Sequence, residues 1–167
     1  MEYFELYELP ISLKVNKAAI TKKYYALSKE FHPDNFSLSN ASKQSEALEK
    51  TSQINLARKV LSNADKRLAY LLKENGIIEE DEKYQLPPKF LGEIMEINES
   101  LMELQFEPNP ATKEKIKNEV DGVLENLYKE VSSKFEAEEL QLDVKSSALL
   151  KDYYYKKKYL DRIKEKL

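Results

Sequence analysis

Apolar side chains recur every three or four residues through most of this 167-residue chain. Ile20, Tyr24, Leu27 and Phe31 illustrate the spacing, which places their side chains along one face of a helix. Only three glycines and six prolines interrupt the pattern. Alternating runs of Val, Ile and Thr, which would indicate strands, are nearly absent. The sequence therefore predicts an all-α fold.

Local signals place the helices of the first half. Asn16 is a suitable N-cap for a helix that begins at Lys17. Pro33 disfavours helical geometry in the residue before it, so this helix ends near Phe31. A longer helix runs from residue 39 or 40 to 61, and a helix over 65–75 ends at Gly76, a favourable C-terminal cap. The predicted core of these two later helices consists of Ala47, Ile54, Ala57, Leu61, Leu68, Leu71 and Leu72.

Residues 77–87 are acidic and polar and end in two prolines, which indicates a linker. The predicted division is a module over 1–76, this linker, and a module over 88–167. In the second module, helices at about 88–105, 111–138 and 143–166 predict an antiparallel three-helix bundle, because their connections are short. The predicted buried stripes are Ile116, Val120, Val123, Leu127 and Val131 on the second helix and Leu149, Tyr153, Leu160, Ile163 and Leu167 on the third.

Composition excludes several classes of function. The chain has no cysteine, which rules out disulfides, thiolate zinc sites and a cysteine nucleophile. No spacing resembles a metal site, and no apolar run approaches membrane-spanning length. Residues 1–75 hold twelve Lys and Arg against nine Asp and Glu, whereas the rest holds fifteen against twenty-one. The acidic second half opposes a phosphate backbone. We expect a cytoplasmic protein without cofactor, metal, nucleic-acid or membrane partner.

The only histidine lies in the tripeptide His32-Pro33-Asp34, in the predicted loop between two antiparallel helices. The helix before this loop is basic, since its only acidic residue is Glu30. Its lysines are Lys17, Lys22, Lys23 and Lys29. A proline-stiffened loop beside a basic helix face forms a recognition edge for an acidic partner.

The predicted helix over 88–105 has two apolar stripes. Its core face consists of Phe90, Ile94, Ile97, Leu101 and Leu104. Leu91, Met95 and Met102 lie about 100–140° from the centre of that face, at ~100° per residue. Beside this second stripe lie the carboxylates of Glu96, Glu99 and Glu103. An apolar stripe bordered by carboxylates indicates a protein-binding surface. The alternative is that two neighbouring helices simply cover it.

The first half resembles a J domain over residues 2–75, with a short first helix, a basic second helix and the His-Pro-Asp loop. Asn35 replaces the lysine that usually follows the tripeptide. The resemblance implies that the loop and the basic helix contact a DnaK-type chaperone and stimulate its ATP hydrolysis. The residues implied are Lys22, Lys23, Lys29, His32, Pro33 and Asp34. The alternative is a J-like fold that no longer stimulates a partner.

The whole chain resembles the HscB family, the J-protein co-chaperones of iron–sulfur cluster assembly. The matching segments are Tyr3–Pro10, Phe31–Phe36, Ile54–Ala57, Arg67–Leu72, Phe90–Glu96 and Tyr159–Arg162. The resemblance implies that the C-terminal bundle holds the scaffold protein IscU. The residues implied for this contact are Leu91, Met95, Glu96, Glu99, Glu103 and Tyr159. Gly92 departs from the family, which has a larger apolar residue there.

The resemblance implies a co-chaperone rather than an enzyme. Such a protein binds an IscU-type scaffold, delivers it to a DnaK/HscA-type chaperone and stimulates ATP hydrolysis, which aids iron–sulfur cluster transfer. The absence of cysteine excludes the N-terminal zinc module of some eukaryotic relatives and favours a bacterial-type form. Two alternatives remain: a J-protein that serves a different client, and a structural helical adaptor.

Overall fold

The computed structural model describes all residues from Met1 to Leu167 and contains eight α-helices, one 3₁₀ helix and no strand. The predicted all-α fold is confirmed. Contacts divide the chain into two compact units. The first unit comprises Met1–Gly76 with Lys134–Gln141, and the second comprises Ile77–Ser133 with Leu142–Leu167.

The first unit contains α1 (Glu2–Leu6), α2 (Lys17–Glu30), a 3₁₀ helix (Pro33–Phe36), α3 (Ala41–Leu61) and α4 (Ala64–Glu74). The predicted caps are confirmed. The side chain of Asn16 accepts a hydrogen bond from the Ala19 amide at 3.0 Å, which satisfies a free N–H at the start of α2. Gly76 follows α4 with φ +63°, a left-handed conformation that favours glycine.

The core of the first unit follows the predicted periodicity closely, and all seven predicted core residues of α3 and α4 are buried. On α2, Ile20 and Leu27 are buried, whereas Tyr24 and Phe31, the residue after α2, are only half-buried. The guanidinium of Arg58 lies 4.0 Å from the centre of the Tyr24 ring, and the Tyr24 hydroxyl bonds to Asn55. This ring therefore reaches the surface because its polar end has partners there.

Residues 134–141 pack in the first unit, whereas the predicted division had placed them in the second module. The Leu140 amide donates to the Ile11 carbonyl at 2.7 Å, and the Ser12 hydroxyl donates to the Ala137 carbonyl at 2.5 Å. The buried guanidinium of Arg67 donates to the Ser12 carbonyl at 2.6 Å. Burial lowers the pKa of Arg67 to about 10. Two hydrogen bonds to backbone carbonyls and the burial of Phe135 and Leu140 thus accompany this association.

The second unit contains α5 (Pro88–Glu93), α6 (Met95–Phe106), most of α7 (Pro110–Glu136) and α8 (Val144–Glu165). The prediction of one continuous helix over 88–105 is wrong, because helical geometry is interrupted at Ile94 (φ −102°, ψ 8°). Gly92 lies two residues earlier, and glycine weakens a helix interior by about 1 kcal/mol relative to alanine. Two hydrogen bonds span the interruption, from the Ile94 amide to Phe90 and from the Asn98 amide to Ile94.

The core of the second unit contains most of the predicted stripes. Ile116, Val120, Leu127, Val131, Tyr153, Leu160 and Ile163 are buried, while Val123 and Leu104 are half-buried. On α8 the first core position is Leu150, not the predicted Leu149, which is half-buried, as is Leu167. α8 contacts α6 through a hydrogen bond from Tyr159 to Asn98, and α7 through an ion pair of Lys164 with Asp121. No helix is both long enough and apolar enough to cross a bilayer.

Candidate protein-binding sites

The tripeptide His32-Pro33-Asp34 lies in the first unit, between α2 and α3, with all three residues exposed. Pro33 begins the 3₁₀ helix, where its missing N–H leaves no hydrogen bond unmade. The His32 imidazole Nδ1 accepts the Asp34 amide at 3.3 Å and lies 3.6 Å from the Asp34 carboxylate. The Asp34 side chain remains 90% exposed. The loop therefore has a fixed backbone that presents the Asp34 carboxylate to solvent.

Asn35 fixes this loop to the end of α2. Its side-chain amide donates to the Lys29 carbonyl at 2.8 Å and to the Glu30 carbonyl at 3.4 Å. These carbonyls belong to the last turn of the helix, where no intrahelical donor reaches them. Sequence reasoning treated Asn35 only as a missing lysine and did not assign it this role. The signal was an amide side chain within a few residues of a helix C-terminus.

The three candidate lysines of α2 differ in their surroundings. Lys22 and Lys29 are exposed. Lys23 is half-buried, and its ammonium lies 2.7 Å from the carboxylate of Glu8. An ion pair within the protein partly neutralises the charge that a partner would feel. Among these three lysines, Lys22 and Lys29 therefore supply most of the positive charge that α2 presents to a partner.

The second candidate site lies on α5 and α6 of the second unit. Leu91, Met95 and Met102 are 44%, 58% and 61% exposed, whereas Phe90 and Ile97 are buried. The alternative in which neighbouring helices cover this second stripe is therefore wrong. The side chains of Glu96, Glu99 and Glu103 are exposed beside it. The arrangement suits a partner that buries apolar surface and brings positive charge to the border.

Tyr159 of α8 reaches α5 and α6 but is only half-buried. Its hydroxyl donates to the Asn98 side chain at 3.0 Å, and its ring meets the buried Phe90 ring edge-on, with the ring centres 6.4 Å apart. The structure therefore brings Tyr159 close to the helices that carry Leu91 and Met95. Part of the ring already contributes to packing within the unit.

The predicted linker is ordered against α8. The Tyr84 and Tyr155 rings stack with centres 4.4 Å apart, and the Tyr155 hydroxyl donates to the Glu82 carboxylate at 2.9 Å. Burial, followed by this hydrogen bond, raises the pKa of Tyr155. The Lys151 ammonium, 2.6 Å from Glu82, lowers the pKa of that carboxyl. The aromatic and basic run over 153–158 is thus engaged in intramolecular contacts. No group of His, Asp and Glu has a geometry that could hold a metal ion.

Comparisons with known proteins agree along the whole chain. A family model described as the HSCB C-terminal oligomerisation domain matches residues 86–167, and the DnaJ domain model matches residues 3–70. A co-chaperone protein HscB homolog of Vibrio vulnificus is 33% identical over 139 residues, which cover 83% of this chain and 80% of the relative. The Vibrio campbellii homolog is 30% identical, and the match covers 100% of this chain and 95% of the relative.

Two solved structures are similar to this fold. The crystal structure of human co-chaperone protein HscB has a TM-score of 0.77 and 32% identity, over 98% of this chain and 79% of the human one. The chaperone HscB from Vibrio cholerae also has a TM-score of 0.77, with 27% identity over 98% and 94% of the two chains.

Proposed function

This chain belongs to the HscB family of J-domain co-chaperones in iron–sulfur cluster assembly, and from that premise we propose that it couples two partners. One is a DnaK/HscA-type chaperone, whose ATP hydrolysis it stimulates. The other is an IscU-type scaffold protein, which it delivers to that chaperone. In this proposal the chain acts in the bacterial cytoplasm and has no catalytic group of its own, because the partner hydrolyses the ATP.

The observation that carries the proposal is the exposed carboxylate of Asp34 on a loop fixed to a basic helix. Asp34 is 90% exposed, while the Asn35 amide fixes the loop to the Lys29 carbonyl at 2.8 Å. A carboxylate held in place loses little conformational freedom when a partner binds it. Lys22 and Lys29 attract an acidic surface, and Asp34 then meets a basic group of the same partner. In this proposal, docking raises the rate of ATP hydrolysis by the partner, and this chain takes no chemical part in that reaction.

The exposed apolar side chains of the second unit support the proposed scaffold contact. Leu91 and Met95 are 44% and 58% exposed on adjacent turns, and the carboxylates of α6 are exposed beside them. Large apolar side chains that remain exposed in a row commonly mark an interaction surface. A Cβ added at Gly92 would meet no atom within 4 Å, so the surface beside Leu91 has room for a larger side chain of the scaffold.

A steady-state ATPase assay with a purified HscA-type chaperone tests the proposal. We expect the rate to rise when this chain is added and to rise further with an IscU-type scaffold at limiting concentration. No increase in either condition would favour the structural adaptor. An increase with the chain, together with no binding of the scaffold, would favour a J-protein with a different client.

A further inference from the structure

The apolar row of α6 continues beyond the residues assigned above. Met102 is 61% exposed and Phe106, the last residue of α6, is 86% exposed. At ~100° per residue, Met95, Met102 and Phe106 fall within about 40° of each other around the helix axis. The row is about 16 Å long, given the 1.5 Å rise per residue. Three large apolar side chains thus occupy one narrow, solvent-exposed strip.

One edge of this strip is uniformly acidic. By the same rotation, Glu96, Glu99 and Glu103 fall within about 60° of each other, directly beside the apolar row. Glu107 follows at the end of the helix. The only lysine of α5 and α6 is Lys89, whose ammonium lies 3.9 Å from Glu93, at the opposite end from Phe106. The carboxylates along the row therefore lack a cation within the two helices.

We propose that the strip formed by Met95, Met102 and Phe106 binds a single apolar segment with Lys or Arg along one side, and that this segment belongs to the scaffold protein. The inference rests on the proposed function and extends the contact of Leu91 and Met95 to Met102 and Phe106. Apolar burial against Met102 and Phe106 supplies affinity, and basic residues opposite Glu99, Glu103 and Glu107 set its direction.

Charge argues against a second copy of this chain as the occupant. A two-fold dimer through this strip would bring the carboxylate rows of both copies into one interface, because such an interface uses the same surface twice. Like charges placed together oppose association, and α5 and α6 offer no basic residue near Phe106 to offset them. A partner with its own basic residues has no such penalty.

Calorimetric titration of the full chain with a purified IscU-type scaffold tests the inference. The variant Met102→Ser/Phe106→Ser removes the new contact, and Val144→Ser is the matched control, since Val144 is 89% exposed at the start of α8. We expect about tenfold or more weaker binding for the double variant, because two large apolar side chains lose their burial. Val144→Ser should bind like the unmodified chain. Binding of the double variant within about twofold of the unmodified chain overturns the inference.

A parallel variant separates this inference from the proposed function. If Leu91→Ala/Met95→Ala weakens binding and Met102→Ser/Phe106→Ser does not, the extension is wrong and the scaffold assignment stands. If neither variant weakens binding, the scaffold contacts another surface and its assignment to α5 and α6 fails. Sedimentation velocity tests the remaining occupant. Self-association that Met102→Ser/Phe106→Ser abolishes would mean that a second copy covers the strip, which also overturns the inference.

The absence of cysteine allows a direct probe of the strip. Single substitutions Phe106→Cys and Val144→Cys can each carry a fluorophore whose emission reports burial. Addition of scaffold should shift the emission of the label at 106 and leave the label at 144 unchanged. No shift at 106, under conditions where calorimetry shows the complex, contradicts the proposed contact.

Discussion

The His-Pro-Asp loop and the α5–α6 surface both face solvent, but they are built differently. In the loop, single hydrogen bonds fix the backbone, such as the bond from the Asn35 amide to the Lys29 carbonyl. On α5 and α6, the packing of the buried face positions the helices, and exposed side chains such as Met95 project from the remaining surface. Binding at a polar site of this kind depends on one charged group, so its affinity changes with salt concentration. Binding at an apolar surface depends on the buried area, so its affinity is less sensitive to salt and to single substitutions.

The largest expected effect concerns Asp34. Asp34→Asn keeps the shape of the loop and removes its free charge, so stimulation of the partner ATPase should be lost in a single-turnover assay. Because Asp34 is exposed, the free energy of unfolding should change by less than about 1 kcal/mol. Glu30→Gln is the matched control, since it removes an exposed carboxylate from the end of α2 and should leave stimulation intact. Stimulation retained by Asp34→Asn would contradict the proposed role of this loop in stimulating the partner.

Leu91→Ala/Met95→Ala should affect only the scaffold. Both side chains are about half exposed, so a partner recovers roughly half of the burial energy of each, or about 1.5–3 kcal/mol for the pair. Scaffold affinity by calorimetry should fall by about ten- to 150-fold. Stimulation of the ATPase without scaffold should remain at its normal level. Unchanged affinity would mean that Leu91 and Met95 do not form the scaffold contact.

Two of the four lysines of α2 offer a finer test of the electrostatic contribution. Lys22→Glu should weaken the interaction with the partner chaperone by about fivefold at low salt, in line with about 1 kcal/mol for exposed charges. Lys23→Glu should have a smaller effect on binding, because Glu8 already neutralises part of that charge. Titrations at low salt and near 1 M salt check this prediction, since screening at 1 M acts within about 3 Å. Equal effects at both salt concentrations would contradict the electrostatic account.

Asn35→Ala should have the smallest effect of the series. It removes a hydrogen bond to the end of α2, and one such bond contributes about 0.5–1.5 kcal/mol. We expect a several-fold reduction in ATPase stimulation and unchanged scaffold affinity. Asn35→Asp should reduce stimulation further, because a carboxylate would face the Lys29 and Glu30 carbonyls. If both variants stimulate normally, the loop does not need this anchor.

Local chemistry made part of the fold predictable. The ends of α2 and α4 depend on Asn16 and Gly76, whose roles are set by their own side chain or backbone freedom. The buried face of α3 follows from spacing alone, because a helix turns by a constant angle. The exposed row on α5 and α6 was predictable for the same reason. It contains more apolar residues than one buried face requires.

Other features were not predictable because they depend on the surroundings. The interruption at Ile94 shifts the geometry of a helix whose apolar pattern runs on without a break. The bond from Ser12 to the Ala137 carbonyl joins residues 125 positions apart and uses a backbone acceptor that every residue has. The ring of Tyr159 is partly packed and partly exposed, and its contacts with Phe90 and Asn98 determine how much of it is packed. Periodicity does not contain such information.

The central claim is that one chain must carry both sites, because delivery depends on the high effective concentration that a physical link provides. The direct measurement is the ATPase rate of the partner chaperone at limiting scaffold, with equal amounts of the Asp34→Asn chain and the Leu91→Ala/Met95→Ala chain mixed in dilute solution. We predict that the mixture gives the same ATPase rate as the Leu91→Ala/Met95→Ala chain alone. The further increase that the scaffold produces with the unmodified chain should be absent. Full recovery of that increment in the mixture would contradict the account.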